Sequence, residues 1–174
     1  MSILTHYREK LHLKNVANEK HLQGQGAAGV FTGLKRVGVL LDATSKDVHQ
    51  PALKFIKGLK KEAGNVKVLA YLDVKEVVQK LPFDYFCKKD LDWIWRPKSE
   101  VAPEFKQQKF DLLINLCQNE CYPLEYLAVG LKANYKIGAL TDYPNDYNLM
   151  LDSKNLQKYI EQVYFFLNKF RNKK

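Results

Sequence analysis

Cysteine is scarce in this chain of 174 residues, which contains only Cys87, Cys117 and Cys121. An odd number of cysteines in a domain of this size does not make a disulfide framework and is typical of a reducing compartment. Long apolar runs are missing as well. No stretch approaches the roughly 18 residues of a membrane helix, and the first residues form no apolar signal core. These absences predict a cytoplasmic protein without a membrane span.

The sequence also lacks the motifs of the common enzyme classes: it has no Walker motif, no G-x-S-x-G and no H-E-x-x-H. Gly24, Gly26 and Gly29 match the dinucleotide-binding pattern G-x-G-x-x-G. That pattern acts between a strand and the helix after it, where pyrophosphate meets the helix N-terminus. Here a helix precedes the glycines and a strand follows them. We therefore interpret residues 23–35 as a glycine-rich linker and expect no dinucleotide and no other cofactor.

Cys117 and Cys121 have the spacing C-x₃-C, which raises the question of metal binding or nucleophilic catalysis. No histidine lies near either cysteine in the sequence, so we expect no metal site. A nucleophilic Cys117 would need a base, and His49 is the only histidine after residue 36. A Cys117–His49 pair is one alternative, and a buried, unreactive cysteine is the commoner one. We assign no catalytic residue.

The composition is that of an ordinary globular protein, with 46% hydrophobic and 27% charged residues. The fold is clearest between Phe110 and Ala139. Phe110–Leu116 is a nearly continuous apolar run, typical of a strand buried on both faces. A helix starts at Pro123, and Tyr135–Ala139 forms the next strand. Strand, helix and strand in this order predict a parallel sheet.

Other apolar stretches alternate with helical segments along the rest of the chain. We interpret four of them as further strands: Val37–Leu41, Val66–Leu72, Phe83–Cys87 and Asn148–Leu151. The pattern predicts an α/β fold, with a three-layer, Rossmann-like parallel sheet of about five strands in flavodoxin-like order. The two most continuously apolar runs, Val37–Leu41 and Phe110–Leu116, are expected side by side at the centre of this sheet.

Charge is distributed unevenly along the chain, whose net charge is +9. Residues 1–36 carry six basic and two acidic residues, and residues 154–174 carry six basic and one acidic residue. Residues 37–153 carry sixteen of each sign and sum to zero. Basic ends on a neutral body are typical of tails that contact an anionic partner, although they also serve solubility alone.

The first 22 residues are predicted to form a basic amphipathic helical arm, followed by the linker and by a Rossmann-like domain over residues 36–174. Leu4, Tyr7 and Leu11 lie on one side of this helix. The arm could dock on its own domain, on a partner protein or on RNA. Its basic side is the predicted contact with an anionic partner, through Arg8, Lys10, His12, Lys14 and Lys20.

Four segments carry a resemblance to known proteins: VGVLL at 37–41, FCKKDL at 86–91, FDLLINL at 110–116 and LKANYKIG at 131–138. Together they resemble a family of Bacteroidota whose members are single Rossmann-like domains behind a basic N-terminal helix. This resemblance implies a fold and an arm, and no activity. Residues 110–138 are also similar to the acceptor-side half of heptosyltransferase-type glycosyltransferases. Those enzymes need a second Rossmann-like domain to hold the nucleotide sugar, and this chain has no room for one.

A ligand of an open parallel sheet binds where the strand order reverses, at the carboxyl ends of the strands. Flavodoxin-like order places this switch point between the strands that end at Leu41 and Leu116. Backbone N–H groups at a helix start could hold a phosphate there, or the same residues could be plain helix caps. The candidate ligand-binding residues in these loops are Asp42, Thr44, Ser45, Asn115, Asn119 and Glu120.

Two functions from different classes remain open. The first is a non-enzymatic binding or scaffolding protein whose basic ends contact RNA, a ribonucleoprotein or an acidic protein. The second is a small enzyme or ligand-binding domain that acts on a phosphorylated or nucleotide-sugar-like molecule at the switch point. The missing glycine-rich loop and the neutral body favour the first. The sequence indicates no oligomeric state.

Overall fold

Short apolar runs separated by polar, helix-forming segments form five α-helices and six strands in the part of the chain that the computed structural model describes, residues 3–22, 31, 33–77 and 81–171. In chain order they are α1 (Ile3–Leu22), β1 (Arg36–Asp42), α2 (Lys46–Glu62), β2 (Asn65–Leu72), β3 (Asp84–Cys87), α3 (Val101–Lys106), β4 (Lys109–Asn115), α4 (Tyr122–Gly130), β5 (Lys132–Ala139), β6 (Leu149–Leu151) and α5 (Leu156–Arg171).

The six strands form one parallel sheet in the order β3-β2-β1-β4-β5-β6. β1 and β4 are neighbours at its centre, where Val37 lies opposite Leu112 and Leu40 lies opposite Asn115. Both strands are buried along nearly their whole length, as central strands of a parallel sheet must be. The predicted α/β class, parallel sheet and central pairing are confirmed.

The strand count and order differ in one respect from the expectation of about five strands in flavodoxin-like order. Without β3, the other five strands follow that order. β3 adds a sixth strand outside β2 and completes the Rossmann order 3-2-1-4-5-6. Its four residues pair with Leu69–Leu72, and Phe86 and Cys87 are buried. A strand this short carries a weak sequence signal, so its place is decided by pairing.

Helices α2 and α5 cover one face of the sheet. The buried residues of α2 are Ala52, Phe55, Ile56 and Leu59, a helical stripe that packs on Val37, Val39 and Leu41 of β1. Leu156, Ile160, Val163 and Leu167 of α5 complete the same apolar cluster. Transfer of each large side chain from water stabilises the fold by roughly 1.5–3 kcal/mol. This layer has an apolar inner side and a charged outer side.

Helices α3 and α4 cover the opposite face. Leu124, Leu127 and Ala128 of α4 pack on Leu40 and Leu113, and Ala102 and Phe105 of α3 extend the cluster. Pro123 stands in the first turn of α4, where its missing N–H leaves no hydrogen bond unmade. The carboxyl ends of β1 and β4, together with the first turn of α4, therefore enclose the switch point from this side.

Helix α1 packs against α4, outside this second layer. The predicted N-terminal helix is therefore present, and it lies on its own domain. Gly24, Gly26 and Gly29 of the proposed linker lie outside the described residues, and the division into arm, linker and domain stays a prediction. No α-helix in the described ranges is long and apolar enough to cross a membrane.

Candidate functional site

The switch point lies where β1 and β4 end at the same edge of the sheet. Asp42 is the last residue of β1, and Asn115 is the last residue of β4. The loop after β1 reads Ala43-Thr44-Ser45, so the turn that holds phosphate in dinucleotide-binding domains has no glycine here. The strand order is that of a dinucleotide-binding fold, and the loop chemistry is different.

The backbone N–H of Thr44 donates to Oδ1 of Asp42 at 3.0 Å, and the Thr44 hydroxyl accepts from the N–H of Asp73 at 2.9 Å. Ser45 is the N-cap of α2, and its hydroxyl accepts from the N–H of Asp47 at 3.4 Å. A carboxylate therefore already uses the Thr44 N–H group that a phosphate would need. Thr44 and Ser45 serve the turn and the helix cap, which weakens the case for a phosphate here.

Asn115 is fully buried and bound on every side. Its amide donates to the hydroxyl of Tyr147 at 2.7 Å and to the carboxylate of Glu125 at 3.4 Å, and its carbonyl accepts from the N–H of Cys117 at 3.1 Å. Because these partners use three of its four hydrogen-bonding positions, Asn115 shapes the loop after β4. Asn119 and Glu120 are exposed in that loop and are not part of this network.

Glu125 is the titratable residue of this network that the sequence analysis misses. It is buried in α4 and accepts a hydrogen bond from the hydroxyl of Tyr147 at 2.8 Å. Burial raises its pKa from the ordinary value of 4.5 to about 7, with help from the nearby charges of Glu120 and Asp146. The signal in the sequence is one acidic residue among the apolar positions of YPLEYLAVG, which an exposed helical residue would produce as well.

A second group at the same edge consists of Asp42, Cys117 and Cys121, which we call the thiol–carboxylate cluster. One carboxylate oxygen and the two Sγ atoms all lie within 4.8 Å of one another. Both cysteines are buried, and Asp42 is half-buried. The hydrogen bond with Cys121, together with burial, raises the pKa of the Cys117 thiol well above its usual range. The cluster brings together three residues with the chemistry of metal ligands.

His49 does not pair with Cys117 in the structure. Its Nε2 lies 2.7 Å from the carbonyl oxygen of Ala43, which can only accept a hydrogen bond, so Nε2 carries the proton. The ring holds the loop after β1. The nucleophile-and-base alternative therefore has no support from this geometry, and a protonated, buried Cys117 is the state that the surroundings favour.

The side of α1 that faces the domain is not the one that carries Leu4 and Tyr7. Leu4 and Tyr7 are exposed, whereas His12 and Val16 are fully buried. The domain surface that α1 contacts accounts for this orientation. It is aromatic and polar and includes Trp95, Tyr122, Tyr126 and Tyr143. His12 makes hydrogen bonds and Arg8 a cation–π contact with this surface. Val16 packs with Val129 and Tyr143.

His12 is the centre of this contact and is wrongly expected to face an anionic partner. Its Nδ1–H donates to the carbonyl of Ile94 at 2.7 Å, and its Nε2 accepts from the hydroxyl of Tyr143. Burial lowers the pKa of His12, so the ring is neutral. Arg8, half-buried, places its guanidinium 3.6 Å above the ring of Trp95, which is a cation–π contact within the molecule.

The other predicted contacts of the arm lie on its outer side. Lys10 and Lys14 are exposed, and Lys20 is exposed while donating to the carbonyl of Asn145 at 2.6 Å. The hydroxyl of Tyr126 donates to Glu19 at 2.7 Å and further attaches α1 to α4. The structure thus divides the five residues into two that face the domain and three that remain accessible.

A basic surface that the charge partition misses lies on α2, within the body that sums to zero. This helix carries five lysines and two acidic residues. No described carboxylate forms an ion pair with any of these lysines. We define the α2 basic face as the exposed lysines that line the grooves beside this helix: Lys54, Lys57, Lys60, Lys61 and Lys67.

Two grooves flank α2. The groove between α2 and α5 has a volume of about 520 Å³ and an apolar floor that includes Phe55, Ile160 and Tyr164, with Glu161 at its side. The groove between α2 and the edge of the sheet has a volume of about 440 Å³, and Phe83 and Asp84 are among its lining residues. Each groove combines lysine side chains with an aromatic ring, a combination used to bind single-stranded nucleic acids.

Comparison with known proteins gives one match. The model of a family described as a family of unknown function (DUF6913) matches residues 8–170 of this chain. No curated protein and no solved structure matches it significantly. The match begins within α1 and ends within α5, so it includes the docked helix as well as the sheet.

Proposed function

This chain belongs to the family of unknown function DUF6913, and we propose that it is a non-enzymatic binding protein whose α2 basic face contacts single-stranded RNA. The observation that carries the proposal is a row of exposed lysines that pair with no carboxylate in the described part of the chain, flanked on both sides by grooves with aromatic linings. The anionic partner expected from the net charge is retained. The contact surface that we propose is the α2 basic face of the domain and no longer the basic side of the N-terminal arm.

The charge of the α2 basic face supports this position. Lys54, Lys57 and Lys61 are spaced 3 and 4 residues apart, so they share one side of the helix. The mutual repulsion of these like charges is relieved when phosphates approach, and bound counterions are released at the same time. Helix α5 lies in the same layer and carries the exposed Lys158.

Aromatic rings in the grooves offer surfaces for base stacking, which lysines alone do not provide. Tyr164 lines the groove between α2 and α5, with its hydroxyl donating to the carbonyl of Phe55 at 3.3 Å. The ring also packs edge-to-face on Phe55, with 5.1 Å between the ring centroids, and this contact does not need the hydroxyl. Bases stack on such rings without sequence preference, and each stacked base contributes about 1–3 kcal/mol. Lysines on the rim and a ring in the groove fit a flexible single strand better than a rigid duplex.

The arm is the weaker candidate for this contact because of where it lies. Helix α1 packs on α4, and α2 lies on the opposite face of the sheet, so one extended ligand meets the two helices on different sides. Two of the five predicted arm residues, Arg8 and His12, face the domain. The alternative function, a phosphorylated ligand at the switch point, is weaker too, because Asp42 accepts the Thr44 N–H.

The test compares two double variants that each remove two positive charges. Lys57→Gln with Lys61→Gln changes the α2 basic face, and Lys10→Gln with Lys14→Gln changes the exposed side of α1. Binding of a labelled, mixed-sequence single-stranded RNA is measured by fluorescence anisotropy over a salt series. If both α2 lysines contact phosphates, the slope of log affinity against log salt becomes shallower by about 1.4. The α1 variant should retain the slope of the unmodified chain.

Other outcomes of this experiment contradict the proposal. A larger effect of the α1 variant would place the contact on the arm. Absence of RNA binding at low salt would reject RNA. Equal competition by polyglutamate of the same charge would favour an acidic protein partner.

Two substitutions at Tyr164 distinguish base stacking from the attraction between lysines and phosphates. Tyr164→Phe retains the ring and should bind as the unmodified chain does, whereas Tyr164→Leu should bind about tenfold more weakly for one stacked base. An acidic protein would not need the flat ring. Equal affinities of the two variants would therefore remove the stacking part of the proposal.

A further inference from the structure

The thiol–carboxylate cluster is the strongest feature of the molecule that RNA binding does not use. Asp42 ends β1, Cys117 follows β4, and Cys121 is the residue immediately before α4. Parallel pairing of β1 with β4 brings these three distant parts of the chain to one edge of the sheet. We propose that Asp42, Cys117 and Cys121 form a binding site for one zinc ion.

The geometry is compatible with tetrahedral coordination. Zinc binds thiolate sulfur at about 2.3 Å and carboxylate oxygen at about 2.0–2.2 Å, so ligand atoms of one tetrahedral site lie about 3.5–3.8 Å apart. The three ligand atoms here lie within 4.8 Å of one another. Shifts of about an ångström bring them to that spacing, within what side-chain torsions allow. Two thiolates and a carboxylate supply three ligands and leave one position for water or another small ligand.

Zinc would displace the proton of the buried Cys117 thiol, and the contacts of Asp42 and Cys121 suit metal ligands. The N–H of Thr44 donates to Oδ1 of Asp42, which orients the carboxylate in the way that outer-shell groups orient metal ligands. Cys121 stands at the N-cap position of α4, and its side chain makes no capping hydrogen bond. The Cys121 sulfur is therefore not used by the helix cap.

Ligand chemistry decides the class of ion. Thiolates are soft ligands that favour zinc, copper(I) and iron–sulfur clusters over magnesium and calcium, which take oxygen ligands. A third ligand that is a carboxylate favours zinc over copper(I). Zinc does not change its oxidation state, so its binding by sulfur and oxygen ligands needs no electron donor or acceptor. The missing histidine, on which the expectation of no metal site depends, is replaced by Asp42 from a neighbouring strand.

The experiment uses the full chain, made metal-free by chelator dialysis in the presence of a phosphine reductant. Titration with cobalt(II) should produce a thiolate-to-cobalt charge-transfer band and the intense visible bands of tetrahedral coordination. They should saturate at one ion per chain and disappear when zinc is added. Zinc should also raise the melting temperature, because it binds the folded state.

Cysteine variants provide the matched comparison. Cys117→Ser and Cys121→Ser should each abolish the charge-transfer band or lower zinc affinity by more than about 100-fold, the upper range for losing an outer-shell partner. Asp42→Asn should retain sulfur-to-cobalt absorption with weaker binding. Cys87→Ser changes the third cysteine, which donates to the carbonyl of Lys75 and belongs to the cluster on the other side of the sheet. That control should bind like the unmodified chain.

The proposal is overturned if the reduced chain shows no cobalt absorption, or if both serine variants bind as the unmodified chain does. Loss of binding in Cys87→Ser alone would also overturn it. Circular dichroism distinguishes an unfolded variant from a folded one that has lost the ligand. A folded Cys121→Ser chain that zinc no longer stabilises is the expected result, and one that zinc still stabilises to the same extent contradicts the site.

Discussion

The layer of α2 and α5 and the layer of α3, α4 and α1 cover the same sheet but differ in their polar content. Behind α2 and α5 the buried cluster is almost entirely apolar, and the charges stand outside as exposed lysines that pair with no carboxylate among the described residues. In the part of the chain that the structure describes, four buried polar side chains lie on the other side, among α1, α4 and the adjoining strands: His12, Asn115, Glu125 and Lys136.

This difference teaches where each kind of function can arise. Burying a polar group costs free energy unless every donor and acceptor finds a partner. On the α4 side Lys136 and Glu125 have hydrogen-bond partners, although Oδ1 of Asp146 has none within the described ranges, so these residues have defined orientations and perturbed pKa values. The α2 side leaves its charges in water, where they are free to meet a partner. An interior site suits the first side, and a macromolecular contact suits the second.

The largest expected effect comes from the buried ion pair of the α4 side. Lys136 and Asp146 lie 2.6 Å apart with 6% and 15% of their side chains exposed, and Lys136 also donates to the carbonyl of Ala128. Lys136→Met retains the aliphatic volume but leaves the carboxylate and the carbonyl without their donor. We expect a loss of about 3–5 kcal/mol in the free energy of unfolding, measured by urea denaturation.

The control for this substitution is the exposed pair of Lys88 and Asp73, which lie 2.9 Å apart with 52% and 49% of their side chains exposed. Lys88→Met should cost less than about 1 kcal/mol, because water screens that pair. Similar losses for the two lysines would show that burial does not distinguish the two pairs.

The next effect concerns pH and Glu125. The unfolded chain releases this proton near pH 4.5, whereas the folded chain holds it until about pH 7. As pH rises from 4.5 to 7, ionisation of Glu125 therefore lowers the free energy of unfolding by about 3 kcal/mol in all. Above pH 7 this contribution stays constant.

Glu125→Gln should flatten this part of the stability profile, measured by denaturant unfolding at several pH values. Glu161→Gln, an exposed residue of α5, should leave the profile unchanged. A profile that Glu125→Gln does not alter would mean that Glu125 titrates like an exposed carboxyl group.

A smaller effect is expected where α1 docks. His12→Ala removes a ring that binds the carbonyl of Ile94 and the hydroxyl of Tyr143, and both partners lose their hydrogen bond. We expect local opening of α1 to become easier by about 2 kcal/mol, which is about 30-fold less protection of its amides in hydrogen exchange. Lys14→Ala, on the exposed side of α1, should change protection by less than twofold.

The same contact should weaken in acid. The pKa of His12 is lowered by burial, so the stability that the neutral ring contributes is present above its usual pKa of 6.5 and is lost as pH falls through the lower value. Protection of α1 that stays constant between pH 7 and pH 5, while the rest of the chain remains folded, would argue against this dependence.

The smallest effect on stability belongs to the α2 side. Lys57→Gln with Lys61→Gln changes only exposed side chains, so the free energy of unfolding should change by about 0.5 kcal/mol or less. The same variant is expected to weaken RNA binding. A large loss of stability would indicate that these lysines support the fold, and any loss of RNA binding would then need another explanation.

The sequence was a good guide to the sheet and a poor guide to α1. Phe110–Leu116 and Val37–Leu41 are apolar throughout, and only a buried central strand accommodates such runs, so their pairing was predictable. Helix α1 has apolar and basic residues mixed around its circumference. Its inward side was determined by the tyrosines and Trp95 that it meets, which come from three other parts of the chain.

By itself the sequence determined the parallel sheet and the position of the switch point, because apolar runs act over neighbouring residues. Only the tertiary structure decided that Asp42 meets Cys117 and Cys121, and that Asn115 meets Glu125 and Tyr147. These contacts join residues far apart in the chain. They depend on strand register and on the rotation of each helix about its axis, which arise from packing the whole domain at once.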